Sequence, residues 1–323
     1  SSLDFLLEVS SSSKVSLVRL VALVKTIYQK FHSLKLLLFF FLNLNRQNVQ
    51  KMGKLFKAQT AEGYTIKVLA DLLQNNIKTA CLLVNDNGFK LCMYDSHRRV
   101  CFSFNLDAEN FQIYKFKPVN SLYLGLNLSH FYKMIKSIKK KDAIILFIDE
   151  KSPSDLGIKV IPKENNRVTT SYIKIQNIQN LDVGVPDGYS NPIIVPSNEY
   201  QKMCKDMASI SQQVQVTAQK YSIKFFGDAG SVYSREVSFG EYDSDSSDDE
   251  EGEVEPYRDE FNTEQLARIV KIAGLGNNIQ VFVKKDLPML FRTNVGGLGK
   301  ISIYVKSKSL IAADSRPPDI TLA

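Results

Sequence analysis

Paired cysteines are missing from this chain. Its four cysteines, Cys81, Cys92, Cys101 and Cys204, form no CxxC pair, and its three histidines are scattered. Zinc sites depend on short paired spacings of these residues, so no metal or other cofactor is expected. Cys81 and Cys204 lie in apolar runs and read as small core residues of a reducing compartment. Long apolar runs are missing too. The patch at 36–42 is far shorter than the roughly twenty residues a membrane-spanning helix needs. Lys14, Arg19, Lys25, Lys30 and Lys35 interrupt any wider window. No small-residue cleavage site follows the patch, so a secretory signal fits poorly and no membrane partner is expected. A zinc finger, an aromatic ribonucleoprotein signature and a helix-turn-helix with a polar recognition face are likewise absent.

What is present is a folded, basic body. The chain has 323 residues, 44% of them apolar, and a formal charge of +7. Between Glu241 and Glu260 eleven carboxylates face one arginine, a balance of −10, which leaves +17 for the remainder. A basic body with one acidic loop points to a polyanionic partner such as nucleic acid. Residues 1–51 are unlike the rest, with serine runs and no acidic residue after Glu8. Met52 reads as the natural start and 1–51 as an extension outside the fold.

From residue 55 the pattern is α+β: short strands punctuated by a few helices. A strand at 55–61 precedes a helical stripe of Ile66, Leu69, Leu73 and Ile77. Strands at 80–84 and 89–93 flank the hairpin turn Asn85-Asp86-Asn87-Gly88. Strands at 100–106, 111–116 and 122–127 lead to a helix at 129–138, then strands at 143–148, 157–161 and 169–175. The second half repeats this order. A strand at 193–195 leads to a helix at 197–207 with Ser197 as its N-cap. Strands at 214–218, 223–226 and 232–239, the acidic loop at 240–256, a helix at 263–273 and strands at 279–283, 289–292 and 301–305 complete it. The pattern predicts two similar domains, 52–175 and 191–306, joined by a loop at 176–190 and followed by a tail at 307–323.

The helices carry their basic residues on one side. Lys133, Lys136 and Lys140 oppose Phe131, Ile135 and Ile138; Lys202 and Lys205 oppose Tyr200, Met203 and Met207. Arg268 and Lys271 oppose Leu266, Ile269 and Ala273, and Lys67 plays the part more weakly beside Asp71. One such face is ordinary for any solvated helix. Several with little acid among them predict sequence-independent, salt-sensitive contact with phosphates.

Several segments resemble the sliding clamps of the proliferating cell nuclear antigen family. They are 91–106 around Tyr94-Asp95-Ser96, then Leu124-Gly125-Leu126-Asn127-Leu128 and Asp182-Val183-Gly184-Val185-Pro186. Pro196-Ser197-Asn198-Glu199-Tyr200 with Cys204-Lys205-Asp206, Pro288 and Gly299 add to them. The resemblance covers about 55–305 and is that of a divergent member. It implies a DNA-clamp fold, antiparallel sheets outside and helices lining an inner face, and a homotrimeric head-to-tail ring around duplex DNA. The strand near 167–174 of one copy would pair with 231–239 of the next. Lys67, Lys133, Lys136, Lys140, Lys202, Lys205, Arg268 and Lys271 would face DNA, with Arg167 near the rim. A peptide groove would involve Tyr94, Arg98, Cys101, Val183, Val185, Pro186, Pro288 and Tyr304. Implied partners are a DNA polymerase, a clamp loader and peptide-motif clients, in the nucleus or a viral replication compartment. Arg98, Arg99 and a tail without the expected apolar-proline sequence set this groove apart and shift it toward acidic flanks. Lys220 matches the family's modifiable lysine.

Three alternatives compete. An enzyme is disfavoured because Asp95-Ser96-His97, as neighbours on a strand, cannot converge on one atom. Gly296-Gly297-Leu298-Gly299-Lys300 lacks phosphate-loop spacing and reads as a hairpin turn. The others are a subunit of a heterotrimeric checkpoint clamp and a scaffold that grips DNA without closing.

Overall fold

The computed structural model describes residues 53–164, 167–181, 183–240 and 256–315, together with Ala22 and Thr26. The chain divides into two compact units, Ser1–Gly53 and Lys54–Ala323. In the first, Thr26 Oγ1 donates to the Ala22 carbonyl at 2.8 Å within helical backbone. The expectations for 1–51 otherwise lie outside the described residues, as does the acidic loop between Gly240 and Pro256.

The second unit uses one plan four times: a lead strand, a helix, then three strands in antiparallel succession. The first use is β1 (Lys54–Thr60), α1 (Gly63–Gln74), β2 (Thr79–Asn85), β3 (Gly88–Tyr94) and β4 (Val100–Asp107). A 3₁₀ turn at Ala108–Asn110 and an extra strand, β5 (Ile113–Phe116), lead onward. The second use is β6 (Leu122–Asn127), α2 (Leu128–Ile135), β7 (Ala143–Asp149), β8 (Ser152–Ile161) and β9 (Thr169–Lys174). The third is β10 (Ile193–Pro196), α3 (Ser197–Ile210), β11 (Gln213–Gln219), β12 (Ser222–Asp228) and β13 (Ser234–Gly240). The fourth is β14 (Tyr257–Asn262), α4 (Thr263–Arg268) with a 3₁₀ segment Val270–Gly274, β15 (Asn278–Phe282), β16 (Met289–Val295) and β17 (Gly299–Val305). A last helix, α5 (Lys308–Asp314), follows.

Within each half the lead strands are exchanged. β1 pairs with β7 and β6 with β2; β10 pairs with β15 and β14 with β11. The third strands settle how the halves meet. β17 and β4 pair antiparallel from Gly299↔Leu106 to Val305↔Val100, fusing both halves into one eight-stranded sheet. Their counterparts β9 and β13 end a five-stranded and a four-stranded sheet, and among the described residues each has one open edge.

Matching hydrogen bonds mark the repeat. The first helical amide of each half, Gly63 N and Ser197 N, donates to Asp142 O (3.2 Å) and Asn277 O (2.9 Å). Asn127 and Asn262 both cap their helices, accepting from His130 N (3.0 Å) and Glu264 N (2.8 Å). The helices pack in a row, α2 on α1, α1 on the 3₁₀ segment, and that segment on α3 beside α4. Their inward residues are those the periodicity indicates: Ile66, Leu69 and Leu73, Phe131, Ile135 and Ile138, Tyr200, Met203 and Met207, Leu266 and Ile269 are all buried.

Four expectations change. β14 escapes sequence reading because Tyr-Arg-Asp-Glu-Phe-Asn looks like solvated loop; as an edge strand it leaves Arg258 exposed and Asp259 and Glu260 half-buried, and it fully buries Phe261. The helix expected over 263–273 leaves α geometry at Ile269 (φ −96°, ψ 4°) and continues as 3₁₀. Ser197 is not a cap: Pro196 holds that place, and Ser197 Oγ donates to Gly276 O at 2.5 Å. The tail expected over 307–323 contains a helix, α5, capped by buried Ser307.

Each asparagine cap satisfies helix amides that would otherwise go without a partner. Asn127→Ala and Asn262→Ala are each expected to lower stability by about 1 kcal/mol. A shifted urea midpoint with an unchanged slope checks this; no shift in either variant would contradict it.

Candidate functional site

The exposed side of the helix row gathers the basic residues, though with more acid among them than the sequence suggested. Lys202 pairs with Glu199 at 2.8 Å, Arg268 with Glu264 at 2.6 Å and Lys271 with Asp71 at 3.2 Å. The first two follow from helical i,i+3 and i,i+4 spacing. The third crosses from the 3₁₀ segment to α1 and ties the two halves. Lys67 is half-buried, with Nζ donating to Ile138 O at 2.7 Å and lying 4.9 Å from the Tyr64 ring centroid. Lys133, Lys136, Lys140 and Lys205 are exposed and form no ion pair among the described residues. Exposed pairs of this kind contribute roughly 0–1 kcal/mol, so a phosphate can compete for their cations.

Lys140 and Arg167 belong to a separate feature. With Lys139, Lys141 and Lys163 they line an open cleft of about 670 Å³ beside the start of β9. Asp142, buried in its wall, accepts from Lys139 N (2.9 Å) and Lys163 N (3.4 Å) and so holds the two cation-bearing loops together.

An apolar site lies on the eight-stranded sheet where the halves join. Buried Cys101, Phe282, Leu290 and Tyr304 form its floor, and Cys92, Tyr94, Val183 and Tyr189 pack against them. Of the residues the resemblance named, Tyr94, Cys101, Val183 and Tyr304 meet here. Pro288 joins through its carbonyl, which accepts from Tyr189 Oη at 2.6 Å. Val185 stays exposed on the connector, Pro186 is half-buried, and Arg98 is exposed in the β3–β4 turn with φ +55°. Tyr189 was read only as connector. Its ring centroid lies 6.0 Å from Phe282 and 6.5 Å from Tyr304, and burial raises its hydroxyl pKa. Phe282 and Leu290 were strand residues without an assigned role, and the alternation of β15 and β16 was their available signal. Lys306 Nζ sits 5.6 Å from the Tyr94 ring and pairs with Asp314 at 2.6 Å. Lys308 pairs with Glu260 at 2.8 Å and Ser309 bonds Asp259, so α5 is held on β14.

The rival sites resolve on geometry. Ser96 and His97 lie in a turn rather than on a strand, and they do approach. Ser96 Oγ lies 3.1 Å from His97 Nδ1, and Asp95 Oδ2 lies 4.0 Å from the same nitrogen. A relay needs the two ring nitrogens to face different partners. Asp95 instead organises the turn, accepting from Arg99 N (2.8 Å) and Val100 N (3.0 Å). Gly296–Leu298 is the turn of the β16–β17 hairpin, and Gly297 N is engaged by Glu62 Oε1 at 3.0 Å. Burial pushes the Cys204 thiol up to about 12, which keeps it an inert core group. Lys220 stands exposed in the β11–β12 turn at φ +38°. No helix among the described residues is long and apolar enough to cross a membrane.

Comparisons agree with this architecture. Residues 52–183 match the family model for the N-terminal domain of proliferating cell nuclear antigen, and residues 184–308 match that for its C-terminal domain. A probable DNA polymerase sliding clamp 1 of Paramecium bursaria Chlorella virus 1 is 22% identical over 257 residues, covering 78% of this chain and 96% of the relative. Proliferating cell nuclear antigen of Chaetomium thermophilum is 23% identical over 258 residues, covering 79% and 98%. That of Caenorhabditis elegans is 22% identical over 260 residues, covering 79% and 97%.

Tyr189 holds the connector to the groove by one half-buried hydrogen bond. Tyr189→Phe is expected to cost about 1 kcal/mol and to speed amide exchange along 183–190. Unchanged exchange there would show that the bond does not anchor the connector.

Proposed function

We propose, for a chain that belongs to the proliferating cell nuclear antigen family of DNA polymerase sliding clamps, that copies close head to tail into a homotrimeric ring around duplex DNA. The observation that carries this is the open edge at each end of the repeat. β9 and β13 occupy the places of β17 and β4, which already pair inside the chain. A register follows from the repeat. Gln280↔Arg292↔Ser302 in the fourth unit corresponds to Ile145↔Lys159↔Thr170 in the second, so Thr170 takes the place of Ser302. Cys92↔Ser103 corresponds to Phe226↔Glu236, so Glu236 takes the place of Ser103. Ser302 and Ser103 are partners. Thr170 of one copy therefore faces Glu236 of the next, and Arg167 faces Phe239.

Exposed apolar residues mark the same two edges. Val168 and Tyr172 flank or lie on β9 at 47% and 59% exposure, and Val232 and Tyr233 precede β13 at 76% and 53%. Covering them while satisfying both backbone edges makes a heterologous contact, which closes into a ring when its rotation permits; the number three comes from the family resemblance. The helix row would line the hole. Lys133, Lys136 and Lys205 would meet phosphates first, with Lys67, Lys202, Arg268 and Lys271 after exchanging their present partners. The apolar groove would dock the short peptides of a polymerase, a loader and other clients. The protein would act as a non-catalytic scaffold of the nucleus or a viral replication compartment. Lys220, on its exposed turn, is available for modification.

Light scattering is expected to give three times 36.5 kDa for the full chain. Retention on circular but not linear DNA would mark topological linkage; equal retention on both would favour an open scaffold. A monomer that assembles only with two different partners would favour a checkpoint clamp. Replacing Lys133, Lys136 and Lys205 by alanine should flatten the log–log salt dependence of DNA association, by about 0.9 per lost phosphate contact. The trimer should persist, and an unchanged slope would contradict the assignment.

A further inference from the structure

The basic cleft at Lys139, Lys140, Lys141, Lys163 and Arg167 has a place in the ring that differs from the helix row, and it carries an inference that rests on the ring reading. It sits at the start of β9. In the register above, β13 of the neighbouring copy runs antiparallel to β9 and ends at Gly240 opposite that start. The acidic run begins one residue later, and between residues 241 and 255 it holds nine carboxylates and no lysine or arginine. We infer that the cleft receives the acidic run of a second copy, forming an electrostatic latch across each seam of the ring.

Charge complementarity supports this occupant. Of the cleft's two carboxylates, Asp142 is committed to the backbone amides of Lys139 and Lys163, and Glu164 is exposed. None of the five cations has an ion pair among the described residues, so the cleft keeps a strong positive field. The backbone pairing and apolar cover of the edges are not weakened by screening, whereas attraction between two solvated clusters is screened within about 8–10 Å at ordinary ionic strength. A latch of this kind chiefly speeds and orients association. It also gives the ring a salt-dependent seam that a loader could open without breaking the core.

The test uses the full chain and measures trimer dissociation by sedimentation across salt concentrations. Replacing the nine carboxylates of 241–255 by their amides should raise the dissociation constant by about tenfold at low salt, with the difference vanishing at high salt. Lys163→Glu with Arg167→Glu should weaken assembly similarly. Adding Asp243→Lys and Asp245→Lys to that double variant should restore it. A trimer whose dissociation is unchanged by the amide substitutions would overturn the latch and leave the ring standing. Should the cleft double variant lose DNA retention with assembly intact, the cleft serves DNA and the latch is wrong. A native chain that stays monomeric at every concentration would overturn both readings.

Discussion

Backbone pairing between β17 and β4 is the interaction on which the rest of this architecture depends. Each half alone would leave the outer edges of both its third strands unpaired, β4 and β9 in the first and β13 and β17 in the second, with rows of amides and carbonyls that must find partners or stay in water. The β17–β4 seam satisfies one edge from each half and sets the halves side by side. It also brings Phe282, Leu290 and Tyr304 of the second half onto Cys101 of the first, so the groove exists only because the seam does. Lys271–Asp71 and Glu62–Gly297 then tie the halves on the helix side. What the seam cannot satisfy is passed outward, to β9 and β13.

The charge on the molecule is best understood as two fields with different work. Along the helix row the cations are diluted by Glu199, Glu264 and Asp71, which suits the loose, sliding hold on DNA proposed for that face. Exposed pairs exchange readily and read no bases. Around Arg167 the cations stand together without ion pairs among the described residues, at the end of the open β9 edge. Counting lysines along the sequence merges these fields, and the fold separates them.

Much of this was legible beforehand, and the exceptions have physical causes. Apolar periodicity located the helices, and alternation located most strands, because one face of each element is buried. Tyr257–Asn262 was missed because an edge strand can keep Arg258 in solvent and Asp259 and Glu260 half-buried against α5, which removes the alternating apolar signal. Its absence hid the fourfold plan and left a twofold one. Tyr189 was missed because its partners are Pro288, Phe282 and Tyr304, about a hundred positions away, and nothing local marks a connector tyrosine as anchored. The pairs Glu199–Lys202 and Glu264–Arg268 could have been read from helical spacing, but Lys271–Asp71 could not. The groove residues owed their grouping to family resemblance, and the structure redistributes them: Tyr94, Cys101, Val183 and Tyr304 meet, while Arg98 and Val185 remain outside.

The central claim is that the open edges repeat the internal seam in register. Covalent capture tests it most directly. A chain carrying both Thr170→Cys and Glu236→Cys, oxidised gently, should run on a denaturing gel as a closed trimer that reverts to monomer on reduction. The native cysteines are a small liability, since Cys81, Cys101 and Cys204 are buried and Cys92 is half-buried. Failure to cross-link, or efficient capture only when the pair is shifted by one residue, would contradict the account.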